Sequence, residues 1–391
     1  MDVITTTESL AATCEALGER DYVAIDTEFM RDKTYWSKLC LIQLASDGVE
    51  AIVDPLADLD LAPLLGLLAR PSIVKVFHAG RQDVEIFVHL AGVIPAPLFD
   101  TQIAAMVCGF GDSVSYDNLV RRLTGNQIDK SSRFTDWARR PLSERQLTYA
   151  LADVTHLRVV YRRLAEELER TGRSSWLNEE LAVLSNEATY DLSPARAWER
   201  VKAKPKSKRA FAALIELAAW REEEAQRLDV PRNRVMKDEA LVEIAVNLPK
   251  SEADFAMLRA LPRGFERSKG ARGLAEAVER GHQRPLESVP AQPQRDSLPD
   301  RLGPIVDLLR VVLRLQSKRH RVAQRLIATA DDLEQIARSD DADVAALSGW
   351  RRELFGALAL DVKHGRLGVT VNDGEVALVP AIGQAAAPAG E

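Results

Sequence analysis

Residues 22–29 read Tyr-Val-Ala-Ile-Asp-Thr-Glu-Phe, an apolar, β-branched run that closes on two carboxylates. Successive side chains of a strand point to opposite faces, so Asp26 and Glu28 project from one face. Such a pair at the end of a buried strand is costly unless a cation neutralises it. Hard divalent ions such as Mg²⁺ take carboxylate oxygens and fill that need. Asp-x-Glu alone is also an ordinary surface or capping pair, so the reading depends on what joins it. Asp83, in His78-Ala79-Gly80-Arg81-Gln82-Asp83, follows a strand-like run and sits at the edge where α/β sheets bind ligands. Asp153 lies in a helical stretch with Tyr149 at i and i+4, which sets a phenol and a carboxylate one turn apart on one face. Each acid alone reads as a cap or a solvated charge; together they read as a cation site.

The elements that must position these groups follow from periodicity and turn residues. A helix over residues 5–20, opening near Thr7 or Glu8, precedes the Asp26 strand. Residues 39–45 and 49–54 are strand-like and flank Asp47-Gly48, a hairpin signal, which predicts a three-stranded meander. A helix over 61–69, a strand at 73–77, a helix from Arg81 to Leu90 and a strand at 98–100 complete a mixed α/β sheet. Asp100 is expected to cap the helix that begins at Thr101. Helical spacing dominates thereafter. The expected units are a first domain over 1–200, a basic linker over 201–209 and a helical block over 210–284. A proline-rich linker over 285–299, a second block over 300–375 and a disordered tail over 376–391 follow. On this reading, truncation after about Arg200 leaves a folded core.

The chain has 391 residues, 46% apolar and 28% charged, which suits two or three globular units. No run of about 18 apolar residues offers a membrane span, and Met1-Asp2-Val3-Ile4-Thr5 lacks the features of a secretory signal. Cys14, Cys40 and Cys108 are widely spaced in apolar surroundings, as expected of a cytoplasmic protein. The net charge of −6 is unevenly spread. Residues 1–200 hold 21 Lys and Arg against 30 Asp and Glu, while residues 201–391 hold 31 against 28. This division suits metal chemistry in the first part and phosphate contacts in the second. No Cys/His metal spacing, glycine-rich phosphate loop or nucleophile elbow is present.

Asp26-Thr27-Glu28, His78 to Asp83 and Tyr149-x-x-x-Asp153 resemble the three exonuclease motifs of the DEDD superfamily of 3′→5′ exonucleases. Phe29, Leu41-Ile42-Gln43-Leu44, Phe99-Asp100-Thr101-Gln102 and Asp136-Trp137-Ala138-Arg139-Arg140-Pro141-Leu142 resemble bacterial ribonuclease D. The resemblance is dense over residues 20–165. It continues into the helical blocks, which look like two HRDC modules; Asp229-Val230-Pro231-Arg232 and Lys237-Asp238-Glu239-Ala240-Leu241 carry it in the first. It implies an RNase H-like α/β exonuclease domain with a five-stranded mixed sheet, followed by two small all-α domains. It also implies two Mg²⁺ or Mn²⁺ ions. Asp26, Glu28 and Asp153 would hold the first, and Asp26 would bridge to the second, helped by Asp83. Phosphodiester hydrolysis suits this many acids, because two ions about 4 Å apart stabilise both the attacking and the leaving oxygen. Tyr149, four residues before the last acid, marks the tyrosine subtype and is expected to position the attacking water.

Other residues are weaker candidates for substrate contact. Phe29 and Met30 either stack on the terminal base or pack beneath the site. His78 is a catalytic base or substrate contact, or else a strand-end histidine that fixes the turn before Asp83, and Lys130 is a phosphate contact or a solvated loop lysine. Arg314, Lys318, Arg321 and Arg325, spaced 4, 3 and 4, form a helical stripe that tracks RNA or simply faces water. The function implied is 3′→5′ trimming of RNA, with tRNA precursors as substrate, by a chain expected to be monomeric. The rivals are a DNA exonuclease of the same fold and an inactive nucleic-acid-binding scaffold.

Overall fold

The computed structural model describes residues 2–129, 131–133, 135–261, 269–291 and 297–381. Its N-terminal part runs β1 (Val3–Ile4), α1 (Thr7–Gly18), β2 (Tyr22–Met30), β3 (Lys38–Ser46), β4 (Val49–Val53), α2 (Ala62–Ala69), β5 (Val74–Phe77), α3 (Arg81–Ala91) and β6 (Leu98–Asp100). Helices α4 (Thr101–Val107), α5 (Tyr116–Thr124), α6 (Glu144–Thr171) and α7 (Ser174–Leu181) follow. The sheet order is β1-β4-β3-β2-β5-β6. Strands β2, β3 and β4 form the expected antiparallel meander, with Asp47-Gly48 as the two-residue turn, while β5 and β6 extend it in parallel. The sheet therefore has six strands and not five. Val3 and Ile4 pair in parallel with Ile52 and Val53, a strand too short to leave a periodic signal.

Central strand β2 is buried through Val23, Ala24 and Ile25 before its carboxylates begin. Apolar residues on both of its sides mark a strand covered on both faces, here by helices, so only its C-terminal end reaches solvent.

The helical part begins with α8 (Lys208–Leu228), α9 (Arg232–Val235), α10 (Asp238–Asn247), α11 (Glu252–Ala256) and α12 (Lys269–Gln283). These enclose a separate core of Phe211, Leu214, Leu217, Leu241, Ile244, Leu274 and Val278. Ala197 and Val201 belong to that core, and Trp198 meets Phe211 edge to face at 5.3 Å. The first unit therefore ends before the 3₁₀ turn Pro194–Arg200, earlier than the expected boundary at 200. The apolar side chains of that turn find their partners on α8, which the basic residues after it obscure in the sequence.

The last unit comprises α13 (Gly303–His320), α14 (Gln324–Ile327), α15 (Ala330–Arg338), α16 (Gly349–Arg351) and α17 (Ala357–Lys363). It is not free-standing. Leu309, Val312, Ile327, Ile336 and Phe355 share one continuous core with the sheet domain. Trp350 stacks on Trp176 at 4.4 Å between ring centres, and the Arg351 guanidinium bridges Glu179 at 2.8 Å and Glu180. Arg173 donates to the carbonyls of Val107, His320 and Arg321, and the Ala323 amide donates to the Met106 carbonyl at 2.9 Å. At this seam Gly109 has φ +81°, and a Cβ there would lie 2.4 Å from the Arg321 carbonyl oxygen, so only glycine permits the approach. The expectation that truncation after about Arg200 spares the core is thus corrected: the cut would expose the apolar face of α4 and α7.

Strands β7 (Leu367–Asn372) and β8 (Glu375–Pro380) close the described chain as a hairpin. The all-helical expectation for this unit and a tail starting at 376 are therefore corrected. Asn372-Asp373-Gly374 repeats the Asp-Gly hairpin signal, and Asp373 and Gly374 both take positive φ. Residues 382–391 lie outside the described residues. The shared core predicts that Trp350→Ala destabilises the full-length chain by about 3–5 kcal/mol in denaturant unfolding. A loss under about 1 kcal/mol would show that the seam adds nothing to the fold.

Candidate active site

Strand pairing sets the first two acids. Asp26 lies opposite Gln43 and Glu28 opposite Leu41, and a bulge between Glu28 and Phe29 breaks the ladder just beyond. Helix α6 supplies the third acid. Its start is held by a capping box in which Ser143 accepts from the Gln146 amide and the Gln146 side chain returns to the Ser143 amide. Two turns on, Asp153 faces the strand. One carboxylate oxygen from each of Asp26, Glu28 and Asp153 lies within 4.8 Å of the others. Asp83 enters from the first turn of α3, where the helix dipole favours an anion. The Thr27 hydroxyl donates to its Oδ1.

The loop before α6 is anchored by Arg140. Its guanidinium grips Asp54 at 2.5 and 2.6 Å and donates to the carbonyls of Cys40 and Trp137 at 2.7 Å. That fixes Trp137, whose ring lies 6.0 Å from that of Tyr149 in a small cluster with Met30 and Ala150. The Tyr149 hydroxyl hydrogen-bonds Asp153. Tyr116 donates to the Asp153 backbone carbonyl. These groups open on a cleft of ≈ 410 Å³ lined by Asp26, His78, Tyr116, Arg133, Tyr149 and Asp153.

Electrostatics record the crowding. Burial, then Asp153, Asp83 and Glu28, hold the Asp26 carboxyl well above the usual carboxylate range. Burial, then Asp153 and Asp83, push Glu28 to about 8, against the pull of Arg133. Burial raises Asp153 to about 7, opposed by Tyr149 and Arg133, and raises Asp83 to about 6, opposed by Thr27. A donor set of this kind, oxygen-only and unwilling to ionise without a counter-charge, fits a hard divalent cation. Gln43 adds to the fit: it is fully buried opposite Asp26, and both atoms of its amide lack a partner. Such an orphaned amide calls for water or another oxygen-bearing group in the site.

The remaining candidates are scattered. His78 lines the cleft, bonds Thr101 Oγ1 at 2.9 Å through Nδ1, and is held neutral by burial, at about 4. The turn before Asp83 is held instead by Asp100, which accepts from the amides of Ala79 and Gly80 as well as capping α4 through Gln102 and Ile103. Phe29 packs on the main core and Met30 on the Trp137 cluster, and both stay partly exposed. Lys130 lies outside the described residues. Arg314 and Lys318 occupy α13, but Arg321 is its left-handed C-cap at φ 53° and Arg325 belongs to α14. The single stripe is therefore corrected to an exposed patch across a helix break, which no spacing rule reveals. Tyr116 and Arg133 escaped the sequence reading, and Thr27 and Gln43 entered it only as parts of motifs without a role, because their types carry no signal without a partner. Thr27, inside the Asp-Thr-Glu motif, offered the nearest clue.

The raised acids fix the sign of a pH effect. Without metal, the folded chain binds more protons than the unfolded one between the ordinary carboxylate range and about 8, the Glu28 value. Stability is therefore greatest at the acid end of this window and lost as pH rises through it. The metal-free melting temperature should fall from acid to mildly alkaline pH, and a divalent cation should restore more of it at the alkaline end. Asp26→Asn should raise the alkaline, metal-free melting temperature and cut the gain from metal. A chelated protein whose melting temperature rises over that interval would contradict this charge balance.

Residues 1–169 match the family described as 3′-5′ exonuclease, and residues 210–272 match the HRDC domain. A ribonuclease D of Nitrobacter hamburgensis is 49% identical over 97% of this chain and 99% of its own. One from Bartonella henselae is 47% identical over 96% and 93%. The crystal structure of Escherichia coli RNase D, described as an exoribonuclease involved in structured RNA processing, superimposes with a TM-score of 0.79 at 31% identity, covering 93% of this chain and 99% of that one. With its acid cluster at the C-terminal end of central strand β2 and relatives spanning almost its whole length, the chain belongs to the ribonuclease D family of 3′→5′ exoribonucleases.

Proposed function

We propose that this exoribonuclease hydrolyses RNA 3′ ends with the help of two divalent ions, Mg²⁺ or Mn²⁺, and releases 5′-mononucleotides. The observation that carries the reading is the convergence of Asp26, Glu28 and Asp153 within 4.8 Å, with Asp83 held beside them by Thr27. Asp26, Glu28 and Asp153 would hold one ion, and Asp26 with Asp83 the other. When bound, the ions lower the pKa of water and stabilise charge on the attacking and leaving oxygens. Tyr149 orients the attacking water from its place beside Asp153. The water oxygen gives up a proton and bonds to phosphorus as the bond to the 3′ oxygen of the penultimate nucleotide breaks, and that leaving oxygen takes up a proton in turn, so none is gained or lost overall. His78, neutral and bonded to Thr101, shapes the cleft wall and is not assigned as the base.

The substrate class proposed is structured RNA carrying a 3′ extension, with tRNA precursors foremost, acted on in the cytoplasm. Support comes from the family, and the three unpaired, buried cysteines suit a reducing compartment. Phe29, Met30 and Lys130 remain proposed contacts for the terminal nucleotide. The exposed cations Arg314, Lys318, Arg321 and Arg325 are proposed to meet the RNA backbone away from the cut.

The deciding experiment compares 5′-labelled RNA and DNA of one sequence with added Mg²⁺ or Mn²⁺. Stepwise shortening of RNA from the 3′ end supports the reading, and equal rates on DNA would refute the RNA preference, which requires contact with the 2′-hydroxyl. Asp26→Asn, Glu28→Gln, Asp83→Asn and Asp153→Asn should each lower kcat by orders of magnitude while RNA binding survives. Near-normal turnover in any of them at saturating Mg²⁺ would remove that residue from the metal site. Tyr149→Phe should lower kcat on the order of 10²-fold with little change in the Mg²⁺ concentration needed; unchanged turnover would make Tyr149 a packing residue.

A further inference from the structure

A second groove, ≈ 360 Å³, lies where the β2–β3 loop meets the first helical unit, and its walls include Arg31, Tyr35, Arg200, Arg221, Arg232 and Asp238. The arginines are held in place by carboxylates, of which Asp238 lines the groove. Buried Glu222 receives Arg232 at 2.5 Å through two nitrogens, Arg200 at 3.1 Å and the Tyr35 hydroxyl. Arg221 pairs with Asp238 at 2.6 Å and Arg31 with Glu85 at 2.8 Å. Four guanidinium groups thus share three carboxylates, Glu222 serving two of them. Arg232 also lies over the Tyr35 ring, 4.8 Å from its centre, which orients its fork further.

Two nitrogens of these arginines, set behind the groove surface, have no acceptor among the described residues. The Nε atoms of Arg200 and Arg221 are buried and lack a hydrogen-bond partner, and Arg221 is only 2% exposed. On the groove surface itself four arginines face a single acid, Asp238, an arrangement that favours an anion with several oxygens. Planar arginine forks fit a phosphate. Position narrows its source. Arg31 is three residues beyond Glu28 on the same chain, on the order of 10 Å at strand spacing. A groove so close to the acid cluster lies within a few nucleotides of the scissile bond.

We infer that this groove binds a backbone phosphate of the RNA being trimmed, a few nucleotides from the cut, with Arg31, Arg200 and Arg232 as its ligands. The assignment to RNA rests on the exoribonuclease reading. Free inorganic phosphate or a released mononucleotide offers the same oxygen chemistry, so the test must tell these sources apart.

The test uses the full chain with Asp26→Asn to prevent cutting. Binding of a short labelled oligoribonucleotide is measured over a range of salt concentrations, with one backbone linkage at a time replaced by an uncharged methylphosphonate. One position should show about tenfold weaker binding when neutralised. Arg31→Gln should impose a similar loss, make the salt dependence shallower by about 0.7, and abolish any further effect of the neutral linkage. Arg31→Lys should keep the salt dependence, and Arg200→Gln should reproduce the Arg31→Gln result. All three variants are compared with the parent by thermal unfolding, so that loss of binding in a folded chain is what counts. Equal affinities and slopes for parent and variants would overturn the proposal. So would saturable binding of inorganic phosphate, lost in Arg31→Gln, with no neutral linkage having any effect: the groove would then serve free phosphate. Cutting of the unmodified RNA by the chain with Asp26 intact is read separately, and its absence would count against the nuclease reading without touching the binding result.

Discussion

Mutual repulsion among Asp26, Glu28, Asp83 and Asp153 is the constraint around which the rest of the chain is arranged. Left to themselves these side chains would turn outward to water. They are kept together because β2 is pinned between β3 and β5, because α6 is capped and packed along its length, and because Asp83 is tied to Thr27. The folded chain therefore stores a charge imbalance: among the described residues Arg133 lowers the Glu28 and Asp153 carboxyls, yet both stay raised. Burial makes the imbalance worse and so makes the site receptive to divalent cations.

Rigid support for such a site has to come from elsewhere in the fold. Arg140, bonded to Asp54 and to two backbone carbonyls, locks the loop that leads into α6. Asp100 accepts four backbone amides and so fixes both the turn before α3 and the start of α4. Each residue sets where an acid-bearing element begins, and the Asp100 charge also acts on Asp83. Burial pushes the Asp100 carboxyl above its usual range, and the four amides that it accepts oppose that push.

The two helical units differ in how they serve the nuclease domain. The last one is part of the same core, joined through Trp176, Trp350 and the Gly109–Arg321 approach. The first keeps its own core and meets the β2–β3 loop through polar contacts: Asp229 accepts from the amides of Tyr35 and Trp36 at 3.0 Å, and Tyr35 donates to Glu222. Trp36 also stacks on His89 of α3 at 3.7 Å. One loop thus touches both the helix bearing Asp83 and the first helical unit, directly beyond the strand bearing Asp26 and Glu28.

Sequence periodicity alone determined the local pairs. A two-residue repeat placed Asp26 and Glu28 on one face, a 3.6-residue repeat placed Tyr149 one turn from Asp153, and Asp47-Gly48 marked the hairpin, because each of these relations is set by backbone geometry within a few residues. The six-residue run from His78 to Asp83 placed the fourth acid at a sheet edge for the same reason. What the pattern does not encode is which distant groups meet. Thr27 and Asp83 are 56 residues apart, Tyr116 and Asp153 are 37, and Tyr35 and Glu222 are 187. Their residue types are ordinary wherever they occur, and only packing gives them partners. Spacing also misleads where a helix breaks, as it does at Arg321, since a cation pattern says nothing about φ. Domain limits fell out of place at Pro194–Arg200 and at the seam with α13 because burial, a property of the assembled core, decides which unit an apolar side chain belongs to.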